Sequence, residues 1–351
     1  MLAVRAEHRG ASFLDVEVEG EKAEAVAYPA LSGPVRPGDV VVLNTTAVAL
    51  GLGTGGLHVV VAVEGGPDTE VAGPGRMMKL RYTPSQVATR SVEESHAAAM
   101  EGSNGLDGTP VVVAPLHSMI GPVAAGARAA GAKRVVYVMT DGAALPGALS
   151  KLVQRLRHAG VLSGFITCGQ AFGGELEAAT VWTGLLAAKE VAEADVIVAA
   201  DGPGNLGTAT KWGVSALAGG NTLNAAATLG GVPVAALRVS FADPRDRHVG
   251  VSHHSLTILA QVCSVPAHVA VPVLHGEPRE VVWTALRGAG LEERHRLVEV
   301  DGAPALDLLA RLGIEVESMG RTAKDDPPFF LAAGAAGVLA GRLASEGGDG
   351  S

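Results

Sequence analysis

The stretch PVVVAPL (110–116) decides the fold, because five later segments repeat its character: KRVVYVMT (133–140), SGFITCG (163–169), ADVIVAAD (194–201), VPVAALRVSF (232–241) and AHVAVPVL (267–274). Each is a short, nearly continuous apolar run rich in Val. None shows the strict alternation of a strand with one face in water. Between them lie helix-like stretches: SMIGPVAAGARAAG (118–131), LPGALSKLVQRLRHAG (145–160), ELEAATVWTGLLAAKEVAEA (175–194), NTLNAAATLGG (221–231) and SLTILAQVC (255–263). Further on come EVVWTALRGAG, RLVEV, ALDLLARLG and a last apolar helix. Apolar strands alternating with helices mean a parallel sheet covered on both faces. The reading is an α/β fold, a doubly wound and mostly parallel sheet over residues 109–344.

Upstream the pattern differs. FLDVEVEG, EKAEAVAY, GPVRPGDVVVLNTT and LHVVVAVEGG read as short strands between turn signals, and nothing before residue 82 reads as a long helix. Residues 1–82 are expected to form a small all-β, barrel-like domain, with the glycines of GLGTGG (51–56) as a hairpin or bulge device. The polar, Gly-rich residues 83–108 read as a junction with one short helical candidate around 92–100, and residues 345–351 as a disordered tail. FFLAAGAAGVLAG (329–341) falls short of the roughly 18 apolar residues that span a bilayer and reads as a buried or interface helix.

Composition narrows the function classes. Of 351 residues, 48% are hydrophobic but only 3% aromatic, and the formal net charge is −9. A nucleic-acid binder needs a basic surface and aromatic faces, so none is expected. No membrane partner is expected either. The opening MLAVRAEHRGASFLD lacks the apolar run of a secretory signal. Cys168 and Cys263 make no metal or disulfide spacing and read as reduced thiols in a cytoplasmic protein. Small-residue helices favour a homo-oligomer.

In such sheets ligands bind beyond the carboxyl ends of the strands. Five strands are followed by small polar or ionisable residues: His117 and Ser118; Thr140, Asp141 and Gly142; Cys168, Gly169 and Gln170; Asp201 with Asn205, Thr208, Thr210 and Lys211; and Ser240. GPGNLG, with Gly202, Gly204 and Gly207, has the dinucleotide spacing but follows the fourth strand rather than the first, and Pro203 removes an amide. An anion-holding turn with Thr208 and Lys211 fits it better.

FADPRDRHVGVSHHS (241–255) holds three histidines, two arginines and two aspartates. His248, His253 and His254 with Asp243 or Asp246 could serve a metal. Arg245 and Arg247 would repel a bare cation, and adjacent helical residues project about 100° apart, so His253 and His254 are not expected to share an ion. Ser252 reads as an N-cap holding both histidines in the first helical turn, where the dipole keeps them neutral. The anion reading is preferred over a metal or a purely structural loop.

SGPVRPGDVVVLNTTAVALGLGTGG, MKLRYTP, LHSM, MTDGAALP, AFGGELEA and FADPRDRHVGVSHHS, in that order, resemble the family known as domain of unknown function 3866. The resemblance covers nearly the whole chain and implies a shared fold and polar edge, with no activity attached. Arg76-Met77 stands where the family tends to have His-Ile, so position 76 offers no catalytic histidine; Ala143 replaces a common Gly.

The expected function is an enzyme acting on a small anionic, phosphorylated-type metabolite by hydrolysis or group transfer. Ser118, Thr140, Ser240, Asp243, Arg245, Arg247, Lys211 and the 202–208 loop hold the ligand. One of His117, His248, His253 or His254 is general acid or base, with Asp141 or Asp201 as orienter. The alternative is a non-catalytic metabolite-binding or regulatory protein. A histidine hydrogen-bonded to a carboxylate in the crevice would favour the enzyme. No cofactor is specified by the residues.

Overall fold

Turn-separated strands build a first sheet and the Val-rich runs a second. The computed structural model describes residues 1–51, 55–66 and 75–348. Strands β1 (Ala3–His8), β2 (Ala11–Val18), β3 (Glu21–Ala27), β4 (Val41–Asn44) and β5 (Leu57–Val63) pair in the order β1-β2-β3-β5-β4. β1 and β4 are its edges, and among the described residues no pairing joins them, so the sheet is open rather than a closed barrel. Period-two alternation puts Leu14, Val16 and Ala25 in one cluster and Phe13, Val26 and Tyr28 in another, which also contains Ala148 of the second sheet's surroundings. Residues 52–54 of GLGTGG lie outside the described residues.

β6 (Met77–Lys79) and β7 (Val87–Thr89) form a hairpin, followed by two short helices, Val92–Ser95 and Ala97–Gly102, where one helical candidate was expected. Lys79, with no exposed side-chain surface, donates from Nζ to Ala171 O at 2.9 Å and Ala178 O at 3.1 Å, and lies 3.4 Å from Glu177. A buried ammonium is tolerated because carbonyls and a carboxylate replace its water. This pins the hairpin to the second sheet.

That sheet contains β8 (Pro110–Val113), β9 (Val135–Thr140), β10 (Gly164–Cys168), β11 (Leu176–Ala178), β12 (Val196–Asp201) and β13 (Val232–Ala236). A short β14 (Val239–Ser240) and β15 (Gly250–Val251) pair antiparallel outside it, and β16 (His268–Pro272) and β17 (Arg296–Val300) complete it. Its order is β11-β10-β9-β12-β8-β13-β16-β17, parallel throughout. β11 was hidden in a segment read as wholly helical; the helix begins only at Val181, capped by Thr180.

The helices around this sheet are α1 (Ile120–Ala129), α2 (Lys151–His158), α3 (Val181–Glu190), α4 (Ala218–Thr228), α5 (His253–Thr257), α6 (Glu277–Gly288), α7 (Ala303–Arg311) and α8 (Pro327–Gly348). Val112, Tyr137 and Val198 pack with α1, α7 and α8 on one face, whereas Val111, Val136 and Ile197 pack with α3, α4 and α6 on the other. Neighbouring residues of one strand thus feed opposite cores, which is why these strands are apolar throughout.

α8 is long and apolar enough to cross a membrane by length and composition, yet 67% of its most apolar window is buried against the rest of the protein. Its glycines allow that. A Cβ on Gly337 would collide with Val123 O of α1, and one on Gly126 with Gly334 O. The helix continues through Gly348, so residues 345–348 are helical where a tail was expected.

β8 leads through α1 to β9, two places away on one side; its neighbour β12 leads through α4 to β13, two places away on the other. The two connections leave by opposite faces, as the clusters above show. Between their starting loops, at the carboxyl ends of β8 and β12, the chain parts and leaves a crevice.

Candidate functional site

The crevice is a cavity of about 630 Å³. The loops after β8 and β12 line it, together with Arg238 beyond β13, the 245–254 segment, and the hairpin of β18 (Glu317–Ser318) and β19 (Arg321–Thr322).

VPVAALRVSF, read as one strand, breaks at Leu237–Arg238. The Arg238 amide donates to Ser255 Oγ at 3.0 Å instead of to a ladder partner, and β14 turns off to pair with β15. Arg238 is left 4% exposed at the cavity wall. Its Nη2 donates to Asp243 Oδ2 at 2.7 Å, while its buried Nε has no hydrogen-bond partner. Arg245 clamps the same carboxylate, Nε to Oδ1 at 2.8 Å and Nη2 to Oδ2 at 2.9 Å, and Arg321 Nη2 lies 3.5 Å away.

Burial alone would raise the Asp243 carboxyl, but the hydrogen bonds from Arg245 and the charge of Arg238 reverse this and hold it well below the usual carboxylate range. Burial lowers Arg238 to about 10, opposed by Asp243, so it remains a cation at neutral pH. Ser240 Oγ accepts from the Asp243 amide at 3.1 Å and donates to Asp326 Oδ2 at 2.6 Å, tying this rim to the start of α8. Asp326 spends its side chain on that tie. Arg321 Nε sits 3.4 Å from Asp326, within ion-pair range but without hydrogen-bond geometry. Arg238, Arg245, Arg247 and Glu317 line the cavity, and ion pairs link Arg238 and Arg245 to Asp243, and through it Arg321 and Asp326, four cations and three carboxylates in all. Arg247 has no carboxylate partner among the described residues.

The three histidines of the same segment converge. Ring centroids lie 4.0 Å apart for His253–His254, 5.1 Å for His248–His254 and 5.2 Å for His248–His253. One ligand nitrogen from each lies within 4.8 Å of the others, the one such group among the described residues. The expectation that His253 and His254 diverge is corrected here. They open a helix of five residues capped by Ser252, and both rings nonetheless lie against that of His248. Ser252, fully buried, accepts from the His254 amide at 3.3 Å and meets His248 Nδ1 at 2.8 Å. Burial first, then Arg238 and Arg245, pushes His248 down to about 3; burial, His253 and Arg238 push His254 down to about 4. His253 is lowered too, by burial and then Arg247. All three rings are neutral at pH 7, and they can hold a metal.

Other expected site residues fall differently. His117 reaches the wall but both ring nitrogens are engaged, Nδ1 with Asp201 O at 3.2 Å and Nε2 with Ser150 Oγ at 2.7 Å; burial lowers it to about 4 against the Asp201 bond. It has no free nitrogen for proton transfer. Asp201 accepts from Thr140 Oγ1 at 2.6 Å and the Gly142 amide at 3.1 Å, and Asp141 from the Gln170 amide at 2.8 Å. Thr140, Asp141, Ser240 and Asp243 do not line the cavity, so the five-strand convergence reduces to β8, β12 and β13.

Ser118 lines it and donates to Ser318 Oγ at 2.9 Å; Asn205 lines it and donates to Pro115 O at 3.0 Å. Gly204 and Gly207 line it, whereas Gly202 packs below them, where a Cβ would strike Ala144 O. Thr208 pairs with Thr210 at 3.0 Å and Lys211 sits over Trp212 at 5.3 Å, both off the cavity. GPGNLG opens no helix, since α4 begins at Ala218, so the dinucleotide fingerprint fails in context. The Cys168 thiol is buried, and that burial pushes it up to about 12.

Arg238, Arg321, Glu317 and Met319 were missed. Only Arg238 carried a signal, a lone guanidinium within the apolar run AALRVSF. One family model, described as "Protein of unknown function (DUF3866)", matches residues 24–337. No curated protein and no solved structure matches the chain.

Proposed function

The chain belongs to the family described as Protein of unknown function (DUF3866), which lends it no chemistry, and we propose from the pocket itself that it is an enzyme acting on a small anionic metabolite by hydrolysis or group transfer. The observation that carries the anion is Arg238. Burying a guanidinium costs several kcal/mol unless its donors are used, and one donor has no partner. A phosphate or carboxylate suits guanidinium forks, with Arg245 and the unpaired Arg247 at the same wall. The cavity volume is within the roughly 300–1,000 Å³ of small-molecule sites.

The convergence of His248, His253 and His254 beside the arginine wall supports chemistry over binding alone. A second reading, a metabolite-binding or regulatory protein, has its own observation: among the described residues no cavity histidine hydrogen-bonds a side-chain carboxylate, since Asp201 meets His117 only through its backbone carbonyl and the Asp141 carboxylate takes the Gln170 amide. The test uses chelator-treated protein and a panel of inorganic phosphate, phosphorylated metabolites and carboxylates. Thermal stabilisation by one class, abolished in Arg245→Ala, supports the pocket; shifts that are the same in the variant overturn it. Turnover of the stabilising compound then separates enzyme from sensor.

A further inference from the structure

We propose that His248, His253 and His254 form a binding site for a divalent first-row transition-metal ion of the zinc class, with an open coordination position at the anion pocket. Three imidazoles suit zinc, copper, nickel or iron, and three protein ligands plus one exchangeable position is the pattern of a reactive rather than a purely structural centre. A tetrahedral ion at about 2.0–2.1 Å from each nitrogen needs nitrogens about 3.4 Å apart. The rings already hold theirs within 4.8 Å, from three positions of one segment.

Two further features point to the same ion. Ser252 engages His248 at Nδ1, leaving Nε2 as its ligand atom and fixing the ring, the job outer-shell partners do at metal sites. His253 Nε2 is buried with no hydrogen-bond partner. His248 and His254 line the cavity, so the fourth position opens on it.

The nearby arginines oppose a bare divalent ion. An anion in the fourth position changes the sign of that interaction, because it bridges the metal and the guanidiniums. Metal and anion therefore bind with positive coupling, each tightening the other by the same factor. The coupling rests on the anion-pocket reading; the three ligands do not.

The test is made on the full chain, stripped with chelator and titrated with Zn²⁺ alone by calorimetry and with Co²⁺ by visible absorption. One ion per chain is expected, with the absorption of a four-coordinate nitrogen-rich site. His253→Ala and His254→Ala, both at partly exposed positions, should each weaken binding more than about 100-fold, the upper end of what losing an outer-shell partner costs. Ser252→Ala should weaken it less. Unfolding curves in chelator establish that the variants are folded, and the wild-type Co²⁺ spectrum stands by itself if one is not. Absence of binding, or affinity that both histidine variants retain, overturns the site. If phosphate stabilises the stripped chain but no ion binds, the metal assignment fails and the anion pocket stands. If the ion binds and phosphate neither binds nor tightens it, the metal site stands and the anion pocket fails.

Discussion

Arg238 Nη2 donates to Asp243 Oδ2 at 2.7 Å, with the two side chains only 5% and 0% exposed. Arg245 Nε and Arg321 Nη2 lie 2.8 and 3.5 Å from the same carboxylate. One buried anion therefore holds together a group of cations that would otherwise repel one another, and it sets their positions at the mouth of the cavity.

Asp243→Asn should destabilise the fold by about 3–5 kcal/mol, because a buried pair broken on one side leaves the other charge uncompensated. Denaturant unfolding measures this. Adding Arg238→Met should recover part of the loss; a midpoint for Asp243→Asn equal to wild type would mean the arginines are not held by this carboxylate.

Arg247 is exposed and carries no ion pair among the described residues, yet it lines the cavity. Arg247→Ala should leave stability within about 0.5 kcal/mol of wild type, as surface substitutions do, while reducing phosphate-induced stabilisation. A variant that binds phosphate as wild type does removes Arg247 from the ligand set.

His117 links stability to pH. Its folded value of about 4 lies below the ordinary 6.5, so between these values the unfolded chain binds the extra proton. The neutral ring's contribution is present in full above pH 6.5 and is lost as pH falls towards 4, about 3 kcal/mol in all. Other lowered histidines act in the same window, so the relevant quantity is a difference. Wild type should lose more stability than His117→Asn between pH 7 and pH 4.5; parallel losses would show that His117 titrates normally.

Gly337→Val should be severely destabilising, because the new Cβ meets Val123 O across the α1–α8 contact and backbone cannot yield as a side chain can. Gly288→Ala is the control. It lies at the end of α6 with open space around its position, and should be neutral or stabilising by up to about 1 kcal/mol. Thermal melts that rank the two in the opposite order would contradict the close packing of α8.

The periodicity of Val-rich runs was enough to identify a parallel sheet with two covered faces, since continuous apolarity follows from burying both sides of each strand. The same local logic located the cavity loops after β8 and β12, and read α8 as a buried helix. β11 escaped it, because Glu177 within Leu176–Ala178 makes an edge strand look like the start of a helix. Continuation of α8 past residue 344 also escaped, since small polar residues tolerate a helix end as well as a loose tail.

Sequence by itself determined which residues are chemically able to act: the histidines, arginines and aspartate of FADPRDRHVGVSHHS were all recognisable as candidates. Tertiary structure alone decided who meets whom. It recruited Arg238 from a broken strand and the 317–322 hairpin from beyond β17, sent Lys211 and Thr208 outward, and occupied both nitrogens of His117. It also turned two adjacent histidines onto a third. The physical reason is that covalent spacing fixes where a side chain is rooted, whereas its direction comes from torsions set by packing partners tens of residues away.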